Sequence, residues 1–263
     1  MFINNNQSHS KRRVPTIPKL KGLSAPFLNY DSNIVLIINR LLSHSKEDGR
    51  MAEQLKWFKD DTLHQKYYPG NKLYKHYQDD VWGIPPHNDR SIFEQYTIGM
   101  FAAGLSWNAS FLKYPELTKA YHNWDFGRIA KMGDDEVKAM LDNPKLIRNE
   151  RKIRATISNA ETVIKLQDKY GSLDNYFWQQ MDYFQWRFRV PTISSLGTTI
   201  PLGDKIAKQM KKDGFKYAGP VSAYSFIVSI GLINARLDGK GFEDDPKSLI
   251  KPYSEQGQNT FNV

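Results

Sequence analysis

The apolar residues of this chain recur at helical spacing, and this limits the folds it can adopt more than any other feature. Between residues 151 and 168, four apolar residues lie three or four positions apart: Ile153, Ile157, Ala160 and Ile164. Such spacing places them on one face of a helix. A nearly all-apolar segment at 220–230 predicts a second helix that is buried on most sides. Because no segment shows the alternation of a half-buried strand, we expect an all-α domain.

Polar residues and glycines mark where these helices begin and end. Asn88 or Asp89 can accept a hydrogen bond from the first turn of one helix, and Asp134 and Asp135 open another. Gly171 and Gly214 each follow an apolar, helically spaced stretch. Glycine is common just past the last turn of a helix. The sequence therefore predicts several capped helices joined by short turns.

Composition along the chain predicts four parts. Residues 1–30 carry five basic residues and no acidic one, which is typical of a flexible basic arm or of a transit peptide; we favour the arm. Residues 31–72 hold short apolar stretches that predict a helical extension. The compact helical domain is expected at 73–245, and a tail at 246–263.

Charge and cysteine content narrow the classes of partner and site. The net charge is +9, which suits a polyanion such as nucleic acid but also fits an ordinary basic protein. The absence of cysteine excludes disulfides and thiolate metal sites, and it is compatible with a cytoplasmic location. No apolar run approaches the roughly 20 residues that span a bilayer. We therefore expect a monomer that does not bind membranes.

Three segments carry residues suited to chemistry on nucleic acid. Aromatic and small residues mix at 73–85 and at 103–107, which suits a slot for a flat ring. The same aromatic residues would also be ordinary in a helical core. The segment 143–152 joins two helical patterns through a basic turn, which either grips a phosphate or is simply solvated. Residue patterns alone leave these alternatives open.

The order of the motifs resembles the DNA-3-methyladenine glycosylase I family. The pattern Leu-Tyr-x-x-Tyr-x-Asp-x-x-Trp-Gly-x-Pro occupies 73–85 and is followed by Phe-Glu and then by Ala-Gly-Leu-Ser-Trp at 103–107. Further similar stretches follow in the same order at 146–153, 214–226 and 231–234. The resemblance extends over roughly 73–241. It implies a fold similar to the helix-hairpin-helix glycosylases.

The resemblance also implies a reaction and a base-binding pocket. Members of the family hydrolyse the bond between an alkylated purine and its deoxyribose, after the nucleotide has been flipped out of double-stranded DNA. Carried over to this sequence, Tyr77 and Trp107 would sandwich the base, with Tyr74 and Trp82 nearby.

The expected contacts with DNA come from two regions. The segment at 103–105 would approach the gap left in the duplex, and basic residues would hold the phosphate backbone. The residues predicted for these roles are Gly104, Leu105, Arg148, Arg151, Lys152 and Lys216.

Zinc is the first point at which this sequence departs from the family. The family's zinc ligands are a cysteine near the start, a histidine after the paired tyrosines, and a late histidine and cysteine. The three later positions hold Gln78, Arg236 and Lys240 here, and the chain has no cysteine. Zinc needs thiolate, imidazole or carboxylate ligands. We therefore predict no metal and no cofactor.

The second departure concerns the pocket itself. The family's base-reading Glu corresponds to Gly99, and a nearby Gln corresponds to Ala102. The pocket is therefore expected to be larger and less polar, with Asp79 or Asp80 as possible substitutes. No catalytic residue is assigned.

Three hypotheses follow. The first is a glycosylase for alkylated purines in DNA, with altered specificity or weak activity. The second is a catalytically impaired relative that binds DNA or recognises lesions. The third is a fold relative whose aromatic pocket holds a free purine or another flat molecule. The retained aromatic motifs favour the first.

Overall fold

The computed structural model describes residues 57–188, 190–242 and 249–251. The predicted arm, the extension up to residue 56 and most of the predicted tail lie outside the described residues. The proposed domain boundaries thus stay predictions. Over the part of the chain that is described, no helix is long and apolar enough to cross a membrane.

Eleven α-helices form the described domain. In chain order they are α1 (Thr62–Tyr67), α2 (Lys72–Asp80), α3 (Asp89–Ala102), α4 (Trp107–Phe111), α5 (Tyr114–Ala120), α6 (Phe126–Ile129), α7 (Asp134–Asp142), α8 (Glu150–Tyr170), α9 (Leu173–Gln180), α10 (Pro201–Asp213) and α11 (Pro220–Ser229). One-turn 3₁₀ helices lie at His122–Trp124 and Ser194–Leu196.

The longest helix, α8, runs through the centre of the fold. It begins after Asn149, whose side chain accepts a hydrogen bond from the amide of Lys152, and it ends at Gly171. Ile153 and Ala160 are fully buried, as their spacing predicts. The helix pairs with α7 across a turn at 143–149, and its buried face also contacts α3 and α9. The predicted hairpin of two helices is therefore confirmed.

Two further helices, α3 and α11, pack against each other. Helix α3 begins at Asn88, whose side chain accepts a hydrogen bond from the amide of Ser91, as the sequence predicts. Helix α11 starts with Pro220 and packs against α10 and α3. Proline suits a first turn because the amide it lacks would have no helical partner there.

A small parallel sheet is the one element that the sequence did not predict. Its strands are β1 (Trp186–Phe188), β2 (Ile233–Asn234) and β3 (Leu249–Lys251), in the order β2-β1-β3. Strands of two or three residues are too short for an alternating pattern to show. The predicted helical fold class is nonetheless confirmed, since helices form nearly all of the described regular structure.

Candidate active site and nucleic-acid interface

Helices α2, α3 and α11 and the segment 57–63 enclose a pocket of about 630 Å³. This volume lies in the usual range for small-molecule sites and exceeds what a purine base needs. Aromatic rings dominate its walls. They belong to Trp57, Tyr74, Tyr77, Trp82, Tyr96, Tyr217 and Phe226.

Tyr74 and Tyr77 lie on the same side of α2, because residues three apart in a helix share a face. The ring of Tyr77 meets Phe111 edge-on, with ring centroids 5.4 Å apart. Burial raises the pKa of Tyr74 to about 12, and burial also raises the pKa of Tyr77. Both phenols are therefore protonated at neutral pH and present neutral rings to the pocket.

Trp82 and Trp57 form a second aromatic wall. Their ring centroids lie 5.3 Å apart in an edge-on arrangement, and the Trp57 ring stacks on His64 at 4.8 Å. Trp82 thus lines the pocket, and its predicted position near the base stays a prediction. Trp57 comes from the predicted extension at 31–72, which precedes the stretch that resembles the family. Trp107 is the first residue of α4, and its side chain lies outside the described part of the structure.

Gly99 opens the pocket on the α3 side. Apart from its chain neighbours and the backbone of its own helix, no described atom lies within 4 Å of a Cβ placed on Gly99. The missing Glu is thus replaced by space, as the sequence indicated. Gln95, one helical turn earlier, also lines the pocket and is buried.

Asp79 and Asp80 do not take the place of the missing Glu. Asp79 accepts hydrogen bonds from the Tyr68 hydroxyl at 2.8 Å and from Lys75 Nζ at 2.5 Å. Asp80 pairs with Lys240 at 2.9 Å. Neither lines the aromatic pocket. The suggestion that one of them reaches the base is therefore wrong, and the buried carboxylate at this pocket is that of Asp61.

At the former zinc positions, an arginine clamp joins the two ends of the domain. The buried guanidinium of Arg236 forms a two-point pair with Asp238, at 2.8 and 2.6 Å. It also donates to the backbone carbonyls of Gln78 at 2.5 Å and Trp82 at 2.9 Å. Lys240 donates to the carbonyl of Asp79.

These side chains cannot hold zinc, because guanidinium and ammonium groups are donors and carry positive charge. Within the described residues, no group of three or more histidines and carboxylates is arranged to hold a metal.

The clamp also accounts for the glycine of the Trp-Gly-x-Pro motif. Gly83 has a φ of +73°, which disfavours residues with a Cβ. A Cβ on Gly83 would lie 3.0 Å from Cγ of Arg236. Glycine therefore lets the α2 end of the domain approach the arginine closely.

Lys152 holds the loop after α3 instead of facing solvent. Its side chain is buried, and Nζ donates to the carbonyls of Phe101 at 3.0 Å and Ala103 at 2.6 Å. The predicted contact between Lys152 and a phosphate is thus corrected: the ammonium is engaged at the carboxyl end of α3, where the helix dipole favours a positive charge. This loop carries Gly104, with a φ of +76°, and Leu105, which is 47% exposed and lies at the pocket rim.

An open basic groove adjoins the pocket. It is lined by Arg151 and Lys216, both predicted for DNA binding, and by Arg154 and Lys211, which the sequence analysis did not single out. Tyr217 lines both the groove and the pocket. Arg148 is exposed in the hairpin turn but does not line this groove.

The backbone of Lys216 is fixed from two sides. Tyr96 donates from its hydroxyl to the Lys216 carbonyl at 2.7 Å, and the Lys216 amide donates to Asn159 at 2.7 Å. Both partners are buried. The groove therefore has a fixed position relative to the pocket.

A model of the methyladenine glycosylase family matches residues 67–242, which is more than half of the chain. The chain belongs to the methyladenine glycosylase family. DNA-3-methyladenine glycosylase 1 of Escherichia coli (strain K12) is 28% identical over 167 residues, covering 64% of this chain and 89% of that protein. The DNA-3-methyladenine glycosylase of Haemophilus influenzae is 28% identical over 166 residues, covering 63% and 90%.

Solved structures of methyladenine glycosylases share the fold. A crystal structure of 3-methyladenine DNA glycosylase I superposes with a TM-score of 0.59 at 31% identity, covering 68% of this chain and 93% of that one. The enzyme from Staphylococcus aureus, whose structure describes 3-methyladenine recognition, has a TM-score of 0.61 at 25% identity and covers 68% and 92%. The family assigned from the motifs is thereby confirmed.

Five pocket residues lie before the stretch that matches the family: Trp57, Asp60, Asp61, Thr62 and Leu63. Trp57 and Asp61 precede residue 67, where the match begins. In the sequence, Asp61 has the pattern of a helix N-cap, and that signal says nothing about a pocket. A three-dimensional arrangement is needed to show that it meets α2 and α3.

Proposed function

We propose that this methyladenine glycosylase excises alkylated purines from double-stranded DNA by hydrolysing their N-glycosidic bond. The observation that carries the proposal is the aromatic pocket bordered by the exposed Leu105 and by the basic groove. A flipped base needs a flat apolar slot, and the strand it leaves needs phosphate contacts beside that slot. Membership of the family supports the same reaction.

Hydrolysis of this N-glycosidic bond needs little help from an acid catalyst. An alkylated purine carries a positive charge, and the electron pair of the breaking bond neutralises it as the base departs. Water bonds to C1′ of the sugar and releases a proton to solvent. The protein therefore has to select the flipped cation and hold it, which neutral aromatic faces can do through cation–π attraction.

We propose that Tyr77 and Trp107 face the two sides of the base, with Tyr74 and Trp82 at its edges. Leu105 and Gly104 would enter the space that the flipped nucleotide leaves. Arg148, Arg151 and Lys216 would contact phosphates, while Lys152 would hold the loop in place. The proposal includes action as a monomer in the cytoplasm.

The test is release of 3-methyladenine and 7-methylguanine from methylated duplex DNA, with unmethylated duplex as the control. Release from the methylated DNA alone is expected. Salt-dependent binding of DNA without release would favour the catalytically impaired relative. Failure to bind DNA even at low salt would favour a pocket for a free flat ligand.

The roles of the two neighbouring cations can be separated by salt dependence. Arg151→Ala is expected to reduce the slope of log binding constant against log salt by about 0.9, because each phosphate contact releases counterions. Lys152→Met is expected to weaken binding without changing the slope, because its ammonium lies on carbonyls. Fluorescence titration of a duplex at several salt concentrations measures both. Equal loss of slope in the two variants would contradict the inward position of Lys152.

A further inference from the structure

We infer that Asp61 supplies the carboxylate that reads the cationic base, in place of the Glu that this chain lacks at Gly99. The inference rests on the proposed function and adds a specificity-determining residue from outside the family-matched stretch. Among the described residues that line the pocket, Asp60 is the only other one with a carboxylate.

The carboxylate of Asp60 is already bound to another segment of the chain. Its carboxylate is exposed and accepts hydrogen bonds from the amides of Ile193 and Ser194 and from the Ser194 hydroxyl, at 2.8 to 3.0 Å. These bonds fasten the 193–194 segment to the start of the domain. Its neighbour Asp61 has different partners, lines the pocket and is only 8% exposed.

Two hydrogen bonds orient the Asp61 carboxylate. Oδ2 accepts from the indole Nε1 of Trp57 at 2.8 Å, and Oδ1 accepts from the amide of His64 at 2.9 Å. Each carboxylate oxygen can accept a further hydrogen bond. The group is therefore held in place by the aromatic wall and retains capacity for a ligand.

The charge of Asp61 has no cationic partner in the described structure. It forms no salt bridge with the residues that are described, although it is buried. Arg236, which lies over the Trp57 ring at 5.6 Å, is paired with Asp238. Burial lowers the pKa of His64, so its imidazole does not balance the charge at neutral pH. A buried carboxylate without a partner suits a ligand that brings a positive charge.

Other unfilled acceptors lie in the same wall. Among the described residues, the side-chain carbonyl oxygens of Gln78 and Gln95 are buried and have no hydrogen-bond partner. Both residues line the pocket. An amino group on a purine ring is the kind of donor that such oxygens require. The open space at Gly99 leaves room for a base to approach this set of acceptors.

The position of the charge determines which kinetic constant it affects. Positive charge resides on the alkylated base before the bond breaks and moves to the sugar as the bond breaks. A carboxylate beside the base therefore stabilises the bound, flipped substrate more than the transition state. Such an interaction appears mainly in KM, whereas a group that acts only in the transition state changes kcat.

The test compares Asp61→Asn with a matched substitution, Asp125→Asn. Asn is as good an N-cap as Asp, so the cap of α1 is retained. Asp125 caps α6 in the same manner and lies away from the pocket. We expect Asp61→Asn to lower kcat/KM for release of 3-methyladenine about 10-fold, mostly through KM, as for loss of a hydrogen bond to a charged group. Asp125→Asn is expected to match the wild type.

Rescue distinguishes a charge from a structural role. Gly99→Glu placed in the Asp61→Asn background returns a carboxylate to the pocket from α3, and we expect it to restore kcat/KM. A role confined to capping would not be rescued from another helix. An Asp61→Asn variant as active as the wild type, or a failed rescue in a double variant that melts like the wild type, would overturn the inference.

Binding of free 3-methyladenine by calorimetry keeps this inference separate from the proposed function. Weaker binding by Asp61→Asn than by the wild type supports the role of Asp61 whether or not the chain releases bases from DNA. Equal binding by the two proteins overturns it. An absence of release by the wild type counts against the proposed function alone.

Discussion

Arg236→Ala is expected to lower the free energy of unfolding by about 3–5 kcal/mol, the range for breaking a buried ion pair by removing one partner. The Arg236 side chain is 3% exposed and makes four hydrogen bonds. Its removal takes the guanidinium donor from the carbonyls of Gln78 and Trp82, and it leaves the Asp238 carboxylate with the hydrogen bond from the Lys240 amide. Because these groups belong to both ends of the domain, α2 loses its buried attachment to the segment after β2 and keeps only the exposed contacts of Lys240 with Asp79 and Asp80 among those described.

Urea unfolding followed by circular dichroism measures this effect, and Arg154→Ala is the matched control. Arg154 pairs with Glu150 and Asp134 on the exposed surface, where such pairs contribute about 0–1 kcal/mol. Arg236→Lys is expected to fall between the two, because an ammonium cannot reproduce the forked geometry. If Arg236→Ala were no more harmful than Arg154→Ala, the clamp would not replace the metal as the link between the ends.

Tyr77→Ala is expected to lower the rate of base release about 10- to 100-fold, since stacking a base on an aromatic ring contributes about 1–3 kcal/mol. Tyr77 is half-buried, lines the pocket and is supported from behind by Phe111. Alanine keeps the helix but removes the flat surface. Release from methylated duplex under single-turnover conditions gives the rate directly.

Tyr77→Phe separates the ring from its hydroxyl. Burial raises the pKa of Tyr77, so the neutral phenol is the form to be compared. We expect the phenylalanine variant to retain most of the activity, because the stacking face is unchanged. Melting curves for both variants control for the lost contact with Phe111. Unchanged release by a stably folded Tyr77→Ala would remove this ring from the base-binding site.

The family and the helical framework could be predicted from the sequence because both depend on local patterns. Asn88 caps the start of α3, and Gly171 and Gly214 follow the last turns of α8 and α10, through groups within a few residues of themselves. The small sheet was missed because its strands are held by pairing between distant segments, as in Trp186 with Ile233. Short strands carry no periodic signal of their own.

Lys152 shows where charge and turn position mislead. A lysine in a basic turn indicates a phosphate contact. The ammonium of Lys152 instead donates to the buried carbonyls of Phe101 and Ala103. The distance along the chain between donor and acceptor is about fifty residues, and only packing of α8 against α3 brings them together. Arg151, the next residue, remains on the surface beside Lys216.

What the sequence alone determined is the set of residue types: no thiolate for zinc, glycine in place of a pocket Glu, and paired tyrosines on one helix face. Only the tertiary structure decided which residues lie where the family has its zinc ligands, and which carboxylate lies at the pocket. Arg236 reaches the end of α2, and Asp61 reaches the pocket wall, because long-range packing joins segments whose own sequences carry no sign of each other. Caps and periodicity are local, whereas burial, charge balance and pocket shape depend on the whole fold.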